Sequence, residues 1–132
     1  MQGEREAAAW VARVWSLPWA MDGDYYRRTE HALRSLTGDA LFAAAPWPRS
    51  VNVKACMLSR VPRAQQLFST EEGASSMSLV PGFGGAPCAG TAVAVARFGE
   101  GLVAFVGDVN AEDSTAQVVA AIAKLPLRPA KK

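Results

Sequence analysis

The sequence is short of the side chains on which most catalytic and metal-binding chemistry is built. Its 132 residues include 2 cysteines and 1 histidine. Two thiols, Cys56 and Cys88, supply neither a disulfide framework nor an all-cysteine zinc site. An excess of one charge is also missing: 14 basic residues stand against 12 acidic ones, and the basic residues are scattered. That balance gives no argument for nucleic acid or an anionic membrane, so neither partner is expected. No segment approaches the ~20 apolar residues of a membrane span. Near the start, Glu4 and Glu6 flank Arg5 and the apolar run stops at Val11, which fits neither a signal peptide nor an organelle transit peptide. The expectation is an intracellular, cytoplasmic protein.

What is present is a globular composition, 50% hydrophobic and 20% charged. Alanine supplies roughly a fifth of the chain, so the apolar fraction is rich in small side chains and modest in core volume. One domain is expected over residues 1–126, with 127–132 as a frayed tail. Residues 4–16 read as a helix, because Ala7, Trp10, Val11, Val14 and Leu17 form one apolar stripe that Pro18 ends. The two tryptophans Trp10 and Trp15 predict that this helix packs against something substantial. Met21-Asp22-Gly23-Asp24 is a turn signal, and Tyr25 to Leu33 suits a helical face or an exposed strand equally. Pro46-Trp47-Pro48 marks a loop.

Val51 to Val61 alternates, with Val51, Val53, Ala55 and Met57 on one face, and predicts a strand. Residues 69–90 are rich in glycine, serine and proline and read as a long loop, with room for a short strand at Ser76 to Val80. The last forty residues are clearest. Thr91 to Phe98 and Leu102 to Val106 flank Gly99-Glu100-Gly101, a hairpin signal. Ser114 and Gln117 have capping-box spacing at the head of a helix that Val118, Ile122 and Leu125 make amphipathic. The fold class expected is α/β, with a small mixed or antiparallel sheet and flanking helices.

The segment from Ala94 to Glu112 resembles the closing hairpin of class I glutamine amidotransferase-like domains, in particular a fungal and algal group of them. There a strand, a G-x-G turn and a second strand lead into a G-D-V-N-x-E loop and a final helix; here the loop reads Gly107-Asp108-Val109-Asn110-Ala111-Glu112. Leu17-Pro18-Trp19 and Tyr26-Arg27-Arg28 are similar to that group's L-P-W and Y-[HR]-R segments, and the strand with Lys54 and Ala55 to its middle section. More distantly, the hairpin is similar to the end of trehalose-utilisation-like (ThuA-like) domains. The resemblance implies the C-terminal half of a flavodoxin-like domain, without the β-α units that would carry the cysteine nucleophile. A sheet left with an uncovered edge would recruit a second copy or a partner chain.

Cysteine catalysis needs a base within reach of the thiol. Cys56 lies mid-strand, where a small buried apolar role is expected. Cys88 sits in a glycine-rich loop, where it could be exposed, but Pro87-Cys88-Ala89 is no nucleophile elbow. His31 is read as structural, and no catalytic dyad is found. Gly82-Phe83-Gly84-Gly85 lacks the lysine and the strand-loop-helix context of a phosphate cradle. Asp108, Asn110 and Glu112 form the one candidate ligand site, at the carboxyl end of a strand where ligands of open α/β sheets bind. Their spacing only faintly matches a calcium loop, so no metal and no cofactor are expected. The functional expectation is a non-catalytic domain acting through protein association. The alternatives are a small-ligand or cation-binding module built on Asp108 to Asp113, and part of a hydrolase or transferase whose nucleophile lies elsewhere.

Overall fold

The apolar runs of the last forty residues build the centre of the molecule. A computed structural model describes residues 9–10, 13–21, 27–34, 40–43, 45–78, 82, 84–85 and 87–127. Its strands are β1 (Ala20–Met21), β2 (Arg27–Leu33), β3 (Ser50–Ala55), β4 (Leu58–Ser59), β5 (Gln66–Ser69), β6 (Thr91–Phe98) and β7 (Gly101–Val106). Among the described residues there are also the α-helices α1 (Ala40–Ala43) and α2 (Asp113–Ala123), a 3-10 turn at Arg63–Gln65 and helical residues at 9–10 and 13–15. The strands form one seven-stranded sheet in the order β1-β4-β6-β5-β2-β3, with β7 also beside β6. Every pairing is antiparallel. The described residues are thus α/β, with an antiparallel sheet and few helices.

The predicted hairpin is present. Phe98 faces Gly101 across Gly99-Glu100, and Gly99 takes φ 59°, which a side chain would resist at the first position of so tight a turn. β6 is covered on both faces. Val93 and Val95 join Val51, Val53, Phe68 and Val118 in one cluster, while Ala94 and Ala96 join Trp19, Leu58 and Val61 in another. Alanine at the second pair of positions lets the chain around Trp19 lie close against the sheet. Trp19 is 2% exposed and its Nε1 donates to Gln65 Oε1 at 2.8 Å, so the indole is buried without an orphaned donor.

β3 is met on both of its edges. One edge pairs with β2 from Ala32↔Ser50 to Arg27↔Ala55. On the other edge Cys56 N donates to Gly107 O at 2.9 Å and Val109 N donates to Lys54 O at 3.0 Å, around an Ala55↔Asp108 bridge. From β6 the pairings run through β5 and β2 to β3, and the residues that follow β7 return to the end of β3 through this bridge. The open edge expected of a half-domain is covered at the end of β3, where the residues that leave β7 bond Lys54 and Cys56. Gly107 makes this approach possible: a Cβ on it would stand 2.0 Å from the Cys56 carbonyl oxygen.

Other expectations shift for local reasons. Residues 9–10 and 13–15 are helical as predicted, while 4–8 and 11–12 lie outside the described residues. The stripe is not buried as expected at its described members Trp10, 49% exposed, and Val14, 44% exposed, while Leu17 reaches a core cluster. The ambiguous segment is strand from Arg27 onward, with Thr29 and His31 buried between outward Arg28 and Glu30. The turn at Met21 to Asp24 and Tyr25 and Tyr26 fall mostly or wholly outside the described residues. The predicted strand from Val51 to Val61 breaks at Cys56–Met57 into β3 and β4. Of the short strand suggested at Ser76 to Val80, Met77 makes a single bridge to Arg28, and residues 79–80 lie outside the description. α2 starts at Asp113 with Glu112 as N-cap and no side-chain cap from it, so the Ser114 box does not open the helix. The tail beyond Leu127 is not described.

Candidate functional site

Asp108, Asn110 and Glu112 sit together where the β7 segment turns from β3 into α2. Asp108 Oδ1 accepts from Asn110 N and Oδ2 from Glu112 N, both at 2.8 Å. Both carboxylate oxygens are thus engaged by the backbone they organise, in the manner of an Asx turn. Ala111 is held between them at φ 51°, a conformation that residue rarely adopts unaided. Burial raises the Asp108 pKa, but hydrogen bonds from Thr115, Asn110 and Glu112 and the charge of Arg28 outweigh it and hold the carboxyl below its ordinary value.

Glu112 is paired as well. Arg28 Nη2 donates to Glu112 Oε1 at 2.5 Å, and Arg28 Nη1 donates to Asn52 O at 3.1 Å. The side chains are 33% and 28% exposed, so solvent screens the pair and its worth is of order 1 kcal/mol. Sequence reasoning placed Glu112 in a candidate site and gave Arg28 no part in it. Charge complementarity between Arg27-Arg28 and the Asp108–Asp113 loop was the available signal. It joins residues 84 positions apart. Among the described residues no group of three or more His, Cys, Asp and Glu side chains is placed to hold a metal ion.

The residues of a cysteine mechanism are kept apart. His31, opposite Val51 on β3, is fully buried, and neither ring nitrogen finds a hydrogen-bond partner among the described residues. Burial lowers its pKa to about 4 against a weaker opposing pull from Glu30. Cys88 is buried rather than exposed: Pro87 bridges to Ser75, and the Cys88 Sγ lies 3.9 Å from Met57 Sδ. Burial pushes the Cys88 thiol above its ordinary pKa, with Arg27 pulling the other way. Cys56, expected to be buried, is half-exposed just past the end of β3.

Exposed apolar side chains gather elsewhere. Phe98, at the hairpin tip, is 48% exposed, and its ring meets Trp15 edge to face at a centroid distance of 4.7 Å. No helix among the described residues is long and apolar enough to cross a membrane. Comparison with family models, with curated proteins and with solved structures gave no match to this chain.

Proposed function

We propose that the chain is a non-catalytic domain that works through protein association, here self-association. The observation that carries this reading is the ring pair of half-exposed Phe98 and partly buried Trp15, with Trp10 and Val14 half exposed among the helical residues 9–10 and 13–15. Large aromatic side chains left in water at one end of a small domain mark an interface more often than an accident of composition. The placement of His31, sealed away from both thiols, supports the non-catalytic half of the reading.

A relationship to the C-terminal part of amidotransferase-like domains stands beside this as a proposal. Its support is that Ala94 to Glu112 folds as a hairpin and a loop leading into a helix, the order the resemblance implies, and that Arg28 of the similar Tyr26-Arg27-Arg28 segment pairs with Glu112.

Sedimentation velocity at micromolar concentration tests the association. The native chain is expected to sediment as a species larger than a monomer, and Phe98→Ser to shift it to monomer without loss of fold. A native chain that stays monomeric, or a Phe98→Ser variant that associates equally well, would overturn the reading.

A further inference from the structure

The β2 edge carries a gap that none of the preceding roles uses. Arg34 N donates to Leu67 O at 2.9 Å, and Ala32 pairs with Ser69, so even-numbered residues of β2 turn their main-chain groups toward β5. Four residues before Ala32, Arg28 accepts from Met77 N at 2.7 Å, which leaves Glu30 between the two contacts. Between these contacts residues 70–74 make no main-chain bond to the strand, and Ser75 meets it through its carbonyl, which accepts from Thr29 Oγ1 at 2.9 Å. The N–H and C=O of Glu30 therefore point toward this segment, and no partner meets them among the described residues. Leu33 N donates in the opposite direction, to Arg49 O at 2.8 Å, which fixes the alternation.

A groove of about 670 Å³ opens at this place, with Glu30, Ala32, Arg49, Glu71, Glu72 and Met77 among its walls. Its three carboxylates against one guanidinium leave it net acidic. The Glu30 carboxylate already accepts from Ser50 Oγ and from Asn52 Nδ2 and is held in place on the outer face. Glu71 and Glu72 are exposed and uncommitted to any salt bridge among the described residues. Met77, 52% exposed, adds an apolar wall, and its sulfur lies 3.2 Å from Asn52 Nδ2.

We propose that this groove binds an extended basic segment of a partner protein, one residue of which pairs with the main chain of Glu30 while a neighbouring lysine or arginine meets Glu71 and Glu72. The main-chain pair completes the interrupted ladder, the same device by which sheet edges accept a peptide strand. The acidic wall selects the charge of the segment, and Met77 gives its aliphatic stem a place to lie. This surface is separate from the aromatic end at Phe98 and goes beyond the self-association proposed above.

The test is a titration of isotope-labelled protein with a short peptide of alternating lysine and valine, followed by amide chemical shifts. Saturable shifts at Glu30, Gly73 and Ser75 are expected, weakened by salt, absent with the glutamate-valine peptide, and reduced about tenfold or more by Glu71→Lys with Glu72→Lys. Both substitutions are at exposed positions, so amide spectra of the free variant report on its fold directly. Shifts that ignore the charge reversal, or no response at Glu30, would overturn the proposal. Sedimentation of the same samples keeps the two surfaces distinct, since Phe98→Ser is expected to leave the titration unchanged. A titration lost with Phe98→Ser would count against a separate groove.

Discussion

Replacing Gly107 by alanine is expected to destabilise the protein by at least about 3 kcal/mol, among the larger costs a single methyl group can produce. The added Cβ would fall 2.0 Å from the Cys56 carbonyl oxygen and 3.0 Å from Phe105 Cε1. The first contact is with backbone, which has no rotamer by which to withdraw. β3 and the end of β7 would have to separate, and the bonds from Cys56 N and Val109 N that join them would lengthen or break. Gly99→Ala is the matched control. It too places a side chain on a glycine, at φ 59°, but nothing lies within 4 Å of the new Cβ. Its cost is the conformational one, about 1 to 2 kcal/mol. Urea unfolding of the two variants separates these effects, and equal losses would show that the approach of Gly107 to Cys56 is not what holds the joint.

The second large effect concerns acid. His31 titrates at about 4 in the folded protein, whereas an unfolded chain takes up that proton near 6.5. Between those values the unfolded state binds more protons than the native one, so stability is full above about pH 6.5 and falls as the pH is lowered toward 4. The integrated loss is about 3 kcal/mol. His31→Leu removes the titrating group and also removes two buried nitrogens that lack partners. The variant is expected to match or exceed the native chain at neutral pH and to open a widening advantage below pH 6.5. Chemical denaturation of both chains across that range gives the comparison. Parallel stability curves would mean that the imidazole is solvated or paired in the native state.

How much of this was legible beforehand differs from element to element. The β6–β7 hairpin could be read because Val93, Val95, Val103 and Phe105 are strong strand formers around a glycine turn, and local chemistry alone decides such a structure. β5 could not. Leu67 and Phe68 are adjacent and both fully buried, so the strand shows no alternation, and its register slips against β6. The end of β3 was missed for a different reason: Cys56 and Met57 continue the apolar pattern, yet the chain turns there to meet Gly107 and Thr91. This joint depends on contacts between segments fifty residues apart, and a periodicity has no access to those.

The candidate site divides in the same way. The clustering of Asp108, Asn110 and Glu112 follows from their spacing in a turn. Their employment does not, because it depends on Arg28 arriving from β2. The predicted Ser114 cap failed since the helix begins earlier, at Asp113: Glu112 is the N-cap, and Ser114 already lies inside the first turn. The burial of Cys88 was hidden by its neighbours: a glycine-rich stretch looks exposed until a bridge such as Ser75↔Pro87 fixes it against the sheet.

The central structural feature is the joint where Gly107 crosses Cys56, which brings the segment after β7 onto the end of β3 and places the Asp108 turn within reach of Arg28. Native-state amide hydrogen exchange at Cys56 and Val109 tests it most directly, since these two N–H groups form the joint. Protection comparable to that of the β6 amides is expected at both positions, with Glu30 N–H exchanging fast as the unpaired reference. Exchange at Cys56 and Val109 as rapid as at Glu30 would contradict this joint.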